Sequence, residues 1–330
     1  MRRSFAMGGL DQALCLFSDL KRAVYRSSGG KCSEDYLYVM AIGGIGELIL
    51  TCSQTHHLRR PDRPVCFVVR DDRFWMARMW PESADMFIKV SASQMQLLSL
   101  LEDHSFLMPG HLYISYVTWL AGGHFADQLI MKEKLLGFRE AFAFGLGLPL
   151  ASPFAPPRLI DQAVPWNPGP NSVLIMPNAN FTRKMPREFW VGLAKDFVAR
   201  GHEVYFENFG SEPINEPGVT NLQTEVPDFV SLASRCGTVI MLRSGLSDLM
   251  SAHSKLLPRL NLVILWHLDP TTAGTLYELW HSPGCSVGYP SSKTWFDCGD
   301  NVQDVEVDPT EERWRTQPVQ QLLPYLHQPQ

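Results

Sequence analysis

The stretch Met241-Leu-Arg-Ser-Gly-Leu-Ser-Asp-Leu-Met-Ser-Ala-His253 decides the fold of the second half of this chain. It begins at the end of an apolar run, 238–242, which predicts a buried strand, and apolar residues then recur at helical spacing from Leu246 to Met250. A strand that turns through Arg-Ser-Gly into a helix presents backbone N–H groups, a hydroxyl and a guanidinium at one point. Such a turn suits a phosphate or diphosphate, and it predicts a nucleotide-type α/β domain.

Length and composition limit the class of protein. The chain has 330 residues, which is too long for one ordinary core and fits two domains of roughly 150 residues each. Hydrophobic residues make up 45% and charged residues 19%, as is typical of a globular protein. The net charge of −5 argues against a nucleic-acid-binding protein, because such proteins carry a basic excess.

Targeting signals and cysteine usage favour a cytoplasmic protein. The segment after Met1-Arg2-Arg3 lacks the long apolar run and the small-residue cleavage site of a secretory signal. No run of about 18 apolar residues indicates a transmembrane helix. The seven cysteines are irregularly spaced and include no Cys-x-x-Cys pair, so they predict neither a disulfide framework nor a metal site. We therefore expect reduced thiols and no bound metal.

Apolar residues near a 3.6-residue period predict an amphipathic helix over 10–26. Three basic residues lie near its C-terminal end. Two interpretations stay open: the basic end contacts an anionic membrane surface, or the helix packs on the first domain and its basic end is solvated. Asp11 and Asp19 on the polar face favour packing on the domain.

Strand and helix patterns alternate on both sides of a proline-rich segment, which predicts parallel βαβ units in each half of the chain. In the first half the predicted strands are 36–42, 65–69, 86–90 and 113–117, and the predicted helices are 47–57, 94–101 and 132–144. In the second half the predicted strands are 172–176, 202–207, 238–242, 262–266 and 305–307, and the predicted helices are 186–200, 228–235, 246–254, 272–280 and 319–327.

Seven prolines lie between Pro149 and Pro170, and proline at this density suppresses regular structure and stiffens the chain. We interpret this segment as a linker between two domains. The predicted organisation is an N-terminal amphipathic appendage at 1–34, a first Rossmann-like domain at 35–150, the linker at 151–171 and a second Rossmann-like domain at 172–330.

The sequence Gly43-Gly-Ile-Gly-Glu47 lies where the first predicted strand turns into a helix. Glycines at such a turn let a ligand approach the backbone, and the helix N-terminus favours an anion. Gly43, Gly44 and Gly46 are therefore candidate contacts for an acceptor or a phosphate. A dinucleotide fingerprint that starts at Gly44 needs a third glycine at Ile49, so the fingerprint is incomplete.

Glu47 lies in the first turn of that predicted helix, at the carboxyl end of a strand. Side chains at this position face the ligand-binding crevice of an open α/β sheet, so Glu47 is well placed as a general base. A carboxylate that only stabilises the helix dipole is an equal alternative. Asp71 and Asp72 at the end of the second strand keep a dinucleotide site open.

A polar loop follows the first strand of the second predicted domain, over 177–186. Asn178 and Asn180 offer short polar contacts, and Lys184 adds positive charge just before a predicted helix. A loop over a diphosphate needs these groups, and an ordinary polar loop with solvated cations is the alternative. Glu207 ends the next strand, where a carboxylate can hold a ribose hydroxyl.

Arg243, Ser244, Gly245 and Asp248 form a third candidate cluster. An arginine directly after a buried strand requires an anionic partner, because an unpaired buried charge is costly. That partner is either a bound phosphate or Asp248, which would form an internal ion pair that holds the turn.

The order of these features resembles the GT-B glycosyltransferases, and in particular the heptosyltransferase family. In that family a glycine-rich turn precedes an acidic base, and here Glu47 takes the place of the usual aspartate. A lysine precedes a Trp-Pro helix start in the family, and here Lys184 precedes Met185-Pro186. A glycine-containing turn then holds the donor phosphates, and here Arg243 and Asp248 flank it where Ser-Gly-x-x-His is common.

The resemblance covers roughly residues 36–310 and implies an α/β fold with two Rossmann-like domains that face a cleft. It implies an inverting, metal-independent transfer of sugar from a nucleotide sugar, bound mainly by the C-terminal domain, to a saccharide or glycolipid acceptor. Glu47 would be the base, and Lys184, Arg243 and the helix start at Gly245 would stabilise the leaving diphosphate. No cofactor is expected, and the expected setting is surface-polysaccharide synthesis in the cytoplasm, with peripheral contact at the inner face of the membrane.

Three alternatives stay open. A sugar-nucleotide epimerase on the same architecture needs a donor but no acceptor. A dinucleotide-dependent enzyme is disfavoured because Ile49 occupies the third glycine position of the fingerprint. A catalytically silent α/β module that binds a partner would neither hydrolyse nor transfer the sugar.

Overall fold

In the computed structural model the chain divides into two compact units, Met1–Pro157 and Arg158–Gln330. The division falls within the segment 151–171 that we predict as a linker, and the linker itself stays a prediction. The structure describes residues 7–30, 35–42, 44–101, 112–115, 143, 146, 148–149, 152–159, 162–179, 185–208, 212–266, 298–308 and 311–326.

The first unit contains a parallel sheet of four described strands in the order β3-β2-β1-β4. The central strands are apolar runs that are buried along nearly their whole length, as expected when helices cover both faces of a parallel sheet. The strands are β1 (Leu37–Ala41), β2 (Val65–Arg70), β3 (Met86–Val90) and β4 (Leu112–Ser115), and the helices are α1 (Met7–Ser27), α2 (Ile45–Thr55), α3 (Phe74–Ala77) and α4 (Ala92–Leu98).

The N-terminal helix α1 packs on this unit. Its buried residues, spaced three or four positions apart, join a cluster with strand residues of the first sheet. Phe17 makes an edge-on contact with Tyr38, with ring centroids 5.1 Å apart. Of the two interpretations of this helix, packing on the first domain is therefore confirmed, and membrane contact stays a prediction. Across the described ranges, no helix is long and apolar enough to cross a bilayer.

The second unit contains a parallel sheet of six described strands in the order β10-β9-β8-β5-β6-β7. Read from β7, this is the doubly wound order, which runs outward in both directions from β5 and β8. The strands are β5 (Ser172–Met176), β6 (Glu203–Glu207), β7 (Val219–Leu222), β8 (Thr238–Leu242), β9 (Asn261–Trp266) and β10 (Val302–Glu306), and the helices are α5 (Arg187–Ala199), α6 (Val226–Ala233), α7 (Gly245–His253), α8 (Glu312–Thr316) and α9 (Pro318–Leu322).

The alternation of side chains along β6 separates two faces of the second sheet. Val204 and Phe206 lie on the face that packs against α5, α8 and α9, in one cluster with Trp190 and Leu193. The side chain of Glu207 extends from the opposite face of the sheet. The two faces therefore present different side chains at the carboxyl end of the same strand.

Two elements of the second unit differ from the sequence prediction. The strand β7 was not predicted, because its sequence Val-Thr-Asn-Leu carries few apolar residues and pairs with β6 alone. The predicted terminal helix over 319–327 is confirmed in its first half by α9, and a 3-10 turn over Leu323–Tyr325 follows it. The short helix α8, which Gln317 separates from α9, was not predicted. Proline at 318 cannot donate a helical hydrogen bond and so begins a new helix. Most of the predicted helices 132–144 and 272–280 lies outside the described residues.

Candidate active site

The carboxyl end of β1 places the first candidate group at a switch point of the sheet. The strand order reverses between β1 and β4, and open α/β sheets bind ligands outside the carboxyl ends of strands at such a point. The turn after β1 leads to Gly44, which is the N-cap of α2, and Glu47 is the third residue of that helix. Gly46 lies in the same first turn, and Gly43 lies outside the described residues.

The Glu47 side chain folds back over the start of its own helix. An ideal Cβ built on Gly44 would lie 2.8 Å from Glu47 Oε2, so the carboxylate occupies the space that a side chain at position 44 would need. Burial raises the pKa of the Glu47 carboxyl, and the backbone N–H groups of Gly44 and Glu47 and the positive charge of Arg73 oppose that rise. The carboxylate thus interacts with the start of its helix and has a raised pKa, and its role as a general base stays a prediction.

A basic and acidic cluster follows the neighbouring strand β2. Arg70 holds Asp72 through two hydrogen bonds, Nε to Oδ1 at 3.0 Å and Nη2 to Oδ2 at 2.6 Å. Burial and the Arg70 charge lower the pKa of Arg73, while the charges of Asp72 and Glu47 act in the opposite direction. The positive charge of Arg73 therefore interacts with the Glu47 carboxylate at the carboxyl ends of β1 and β2.

The second candidate group lies at the switch point between β5 and β8 in the other sheet. Asn178, just beyond β5, donates from Nδ2 to the backbone oxygen of Asn208 at 2.9 Å and so links the ends of β5 and β6. Asn180 and Lys184 lie outside the described residues. Their predicted contacts with a donor stay predictions.

Ser244 caps helix α7 directly after β8. Its hydroxyl accepts from the backbone N–H of Ser247 at 3.3 Å, and its own N–H donates to Ser247 Oγ at 2.9 Å, which completes a reciprocal capping box. Gly245 is the first residue of the helix. The capping box fixes the start of α7 at the carboxyl edge of the sheet, where its positive end favours an anion.

Arg243 is held inside the protein and does not extend into solvent. It forms an ion pair with Asp248, and the exposed fraction of each side chain is 7%. The guanidinium carbon lies 4.6 Å from the ring centroid of Trp266, whose Nε1 donates to Asp304 Oδ1 at 2.7 Å. Burial lowers the pKa of Arg243, and the carboxylates of Asp248 and Asp304 oppose that shift. Of the two partners left open by the sequence, the structure contains the internal one, Asp248.

Glu207 is fully buried at the end of β6. Its Oε2 accepts hydrogen bonds from the backbone N–H of Thr224, at 3.1 Å, and from the Thr224 hydroxyl. The carboxylate thus joins β6 to the segment after β7. Its predicted contact with a ribose stays a prediction, and it would have to form from this hydrogen-bonded position.

Sequence reasoning missed the partners of these groups. Arg73 lies four residues beyond the predicted strand 65–69, and that position at the carboxyl edge was the available signal. Trp266 and Asp304 are separated by 38 positions, so only the pairing of β9 with β10 brings them together. Within the described part of the chain, no three His, Cys, Asp or Glu side chains are grouped so that they could hold a metal ion.

No protein-family model matches the chain, and no curated protein matches its sequence. Solved structures match its fold. The ADP-heptose LPS heptosyltransferase II of E. coli has a TM-score of 0.55 at 12% identity, with 88% of this chain and 98% of that chain covered. A glycosyl transferase family 9 protein of Veillonella parvula has a TM-score of 0.51 at 13% identity, with 82% and 86% covered. The chain therefore has the α/β fold of these two proteins, with a parallel sheet in each unit.

The match confirms the predicted α/β fold class and the predicted resemblance to the fold of heptosyltransferases. At this level of identity a GT-B fold does not transfer a substrate, because one fold hosts many functions. The side chains around Glu47 and around Ser244 therefore have to indicate the reaction.

Proposed function

We propose that the protein is a glycosyltransferase that moves a sugar from a nucleotide sugar to a hydroxyl of a saccharide or glycolipid acceptor. The observation that carries the proposal is the position of Glu47. Its carboxylate is half-buried and has a raised pKa. It lies in the first helical turn after the first strand of a parallel sheet, at the switch point of that sheet. The fold similarity to two glycosyltransferases supports the same class of reaction.

In the proposed reaction Glu47 accepts the proton of an acceptor hydroxyl. The acceptor oxygen forms a bond to the anomeric carbon while the bond from that carbon to the nucleoside diphosphate breaks. The electron pair leaves with the diphosphate, and the attack from the opposite side inverts the anomeric centre. General base catalysis of this kind contributes roughly 10²- to 10⁴-fold to the rate.

The second unit would bind the diphosphate at the start of α7. The capped helix N-terminus at Ser244 and Gly245 directs backbone N–H groups and the positive end of the helix dipole toward an anion. Lys184, Asn178 and Asn180 are proposed as further donor contacts, and Glu207 as a ribose contact. These groups would stabilise the departing charge without a metal.

Arg243 has an indirect part in this proposal. Its ion pair with Asp248 connects the last residue before the cap to the first turn of α7. The pair therefore sets the direction in which the helix start faces. We assign Arg243 and Asp248 to positioning of the phosphate-binding turn.

The acceptor and the setting are proposed on the family resemblance. A lipid-linked or free saccharide acceptor fits surface-polysaccharide synthesis in the cytoplasm, at the inner face of the membrane. The exposed face of α1 includes Leu14 and Tyr25, which are 41% and 52% exposed, beside Arg22 and Arg26. Such a face could approach a membrane surface peripherally.

The test begins with a thermal-shift screen against UDP, GDP, ADP, CMP and NAD, each alone. A ligand at a hundred times its dissociation constant stabilises a protein by about 2.7 kcal/mol. We expect a shift with one nucleotide of the donor class, followed by sugar transfer from the matching nucleotide sugar to a saccharide acceptor, measured by NMR. A shift with NAD alone would contradict the proposal. Conversion of the donor sugar to its epimer without any acceptor would identify an epimerase. No thermal shift with any ligand would favour a silent binding module.

A further inference from the structure

Glu47 and Arg73 follow two neighbouring strands of the first sheet and lie at the same edge of it. β1 pairs in parallel with β2, with Met40 opposite Val68, so the two strands end side by side about 4.8 Å apart. Glu47 is the third residue of α2, and Arg73 is the N-cap of α3. Because α2 and α3 also contact each other, the fold brings an acidic and a basic residue to the same part of this edge.

A hydrogen-bonded turn fixes the backbone that carries Arg73. Residues Asp71–Arg73 form a 3-10 turn directly after β2, and α3 begins directly after that turn. The backbone N–H of Asp72 donates to Asp71 Oδ1 at 2.9 Å, and the Asp72 carboxylate accepts the two hydrogen bonds from Arg70. The half-buried side chain of Arg73 therefore extends from an ordered turn, which limits the positions that its charge can take.

The ion pair beside Arg73 contributes little net charge to this edge. Arg70 and Asp72 carry opposite charges, and after the larger effect of burial they shift the pKa of Arg73 in opposite directions. Among the described residues, the charged side chain that acts on the Glu47 carboxyl is that of Arg73. The positive charge available to Glu47 at this edge is therefore the Arg73 guanidinium.

Glu47 needs a neighbouring cation because its surroundings favour the neutral carboxyl. Burial raises the pKa of the Glu47 carboxyl, and a protonated carboxyl cannot take a proton from an acceptor. A positive charge nearby favours the ionised carboxylate. A half-buried general base therefore depends on a fixed cation if it is to be ionised at neutral pH.

We infer that Arg73 is a positioning residue of the proposed transfer, which acts through Glu47 by restoring its ionised carboxylate after each turnover. The inference rests on the proposed function, because it requires Glu47 to be the base. In each cycle the proton of the acceptor hydroxyl moves to Glu47, and the neutral carboxyl then gives that proton to water. The charge of Arg73 favours this second step, while Arg73 itself keeps its protons and forms no bond to the sugar.

The first experiment measures the ionisation of Glu47 directly and needs no substrate. NMR follows the carboxyl carbons of isotope-labelled glutamate as the pH changes, and the signal that is absent from Glu47→Gln belongs to Glu47. In Arg73→Gln the midpoint of the Glu47 titration should move upward by about one pH unit, because a nearby opposite charge has been removed. Arg73→Met also lacks the charge and keeps the aliphatic part of the side chain, so the test does not depend on the folding of one variant.

Two further variants control for the substitution itself. Arg73→Lys keeps the positive charge and should keep the titration midpoint of Glu47 close to that of the wild type. Arg78→Gln removes an exposed arginine at the C-cap of α3 and should not move the midpoint.

A second experiment uses the pH profile of kcat to separate this role from a merely structural one. It is measured with the nucleotide sugar and the saccharide acceptor of the transfer assay. At acid pH, where Glu47 is partly protonated, kcat of Arg73→Gln should be about tenfold lower than that of the wild type. At alkaline pH the carboxylate is ionised in both proteins, so their kcat values should be nearly equal. Damage to the fold would instead lower kcat by a similar factor at every pH.

The same Glu47 titration in wild type, Arg73→Gln and Arg73→Met would overturn the inference, and so would a loss of kcat of equal size at every pH. The two proposals fail separately, because the NMR titration does not require turnover. A protein whose Glu47 titration responds to Arg73→Gln but which transfers no sugar loses the proposed function and keeps only the charge interaction. A transferase that needs Glu47 but whose Glu47 titration ignores Arg73→Gln loses the role of Arg73 alone.

Discussion

Arg243 and Asp248 form an ion pair that leaves each side chain only 7% exposed, and the guanidinium carbon lies 4.6 Å from the ring centroid of Trp266. The pair spans the junction between β8 and α7, where the chain changes from strand to helix. Both charges have been removed from water, so each depends on the other for compensation. Removal of one partner would leave the other buried without its counter-charge.

We therefore expect Arg243→Ala to lower the free energy of unfolding by about 3–5 kcal/mol, the usual cost of an uncompensated buried charge. Urea denaturation measures this change. Arg313, which pairs with Glu311 on the surface at 61% exposure, is the matched control. Arg313→Ala should cost no more than about 1 kcal/mol. Similar losses in the two variants would show that the buried pair has no special role.

The double variant Arg243→Met, Asp248→Leu separates a structural role from a direct contact with the donor. Apolar side chains of similar size in place of a buried ion pair are often neutral or stabilising, so we expect the double variant to be more stable than Arg243→Ala. We also expect it to keep its affinity for the nucleoside diphosphate within about threefold, which is less than 1.4 kcal/mol. A folded double variant that no longer binds the nucleotide would instead identify Arg243 as a phosphate ligand.

The parts of the fold that were predicted well have strong local signals. β5 and β8 begin and end at the predicted residues, because each is a short apolar run bounded by turn residues and buried in a parallel sheet. The start of α7 could also be predicted from the sequence, since Ser244 and Gly245 follow shortly after the strand. Local pattern and tertiary structure agree at these elements.

The missed features depend on contacts between distant segments. β7 lacks an apolar pattern because it lies at a sheet edge, and its Asn221 bonds to the backbone of Ile214 instead of facing a core. The sequence identified Arg243 as a buried charge but could not choose between Asp248 and a ligand. That choice depends on side-chain geometry, which periodicity does not contain.

Glu47→Gln tests the proposed base. The amide keeps the size of the side chain and an acceptor for the N–H groups of the helix start, but it cannot take a proton at neutral pH. We expect kcat to fall by roughly 10²- to 10⁴-fold. Glu188 also lies in the first turn of a helix after a parallel strand, but it is exposed. Glu188→Gln should leave kcat unchanged, and an equal effect of the two substitutions would remove Glu47 from the mechanism.

The raised pKa of Glu47 makes two pH dependences predictable. Activity requires the ionised carboxylate, so the rate should begin to fall with decreasing pH at a pH above the ordinary glutamate pKa of 4.5.

The free energy of unfolding depends on pH in the opposite direction, because the folded state favours the protonated carboxyl. The stabilisation is complete below pH 4.5 and is lost as the pH rises through the raised pKa. At neutral pH, Glu47→Gln should therefore have a higher Tm than the wild type, with the difference disappearing in acid. A difference in Tm that does not depend on pH would contradict the assignment.

Gly44→Ala tests the position of the Glu47 carboxylate without removing it. The backbone φ of Gly44 is −71°, which alanine adopts readily, so we expect the fold to be kept. The new Cβ would lie 2.8 Å from Glu47 Oε2 and would displace the carboxylate, and a misplaced catalytic group costs roughly 10- to 100-fold in kcat. Gly169→Ala is the matched control, because nothing lies within 4 Å of a Cβ built there.

Glu47→Asp withdraws the carboxylate from the new methyl group, so it should lower kcat less in the Gly44→Ala background than in the wild type. Equal effects of Glu47→Asp in both backgrounds, or an unchanged kcat in Gly44→Ala, would show that the contact between residues 44 and 47 does not set the position of the base.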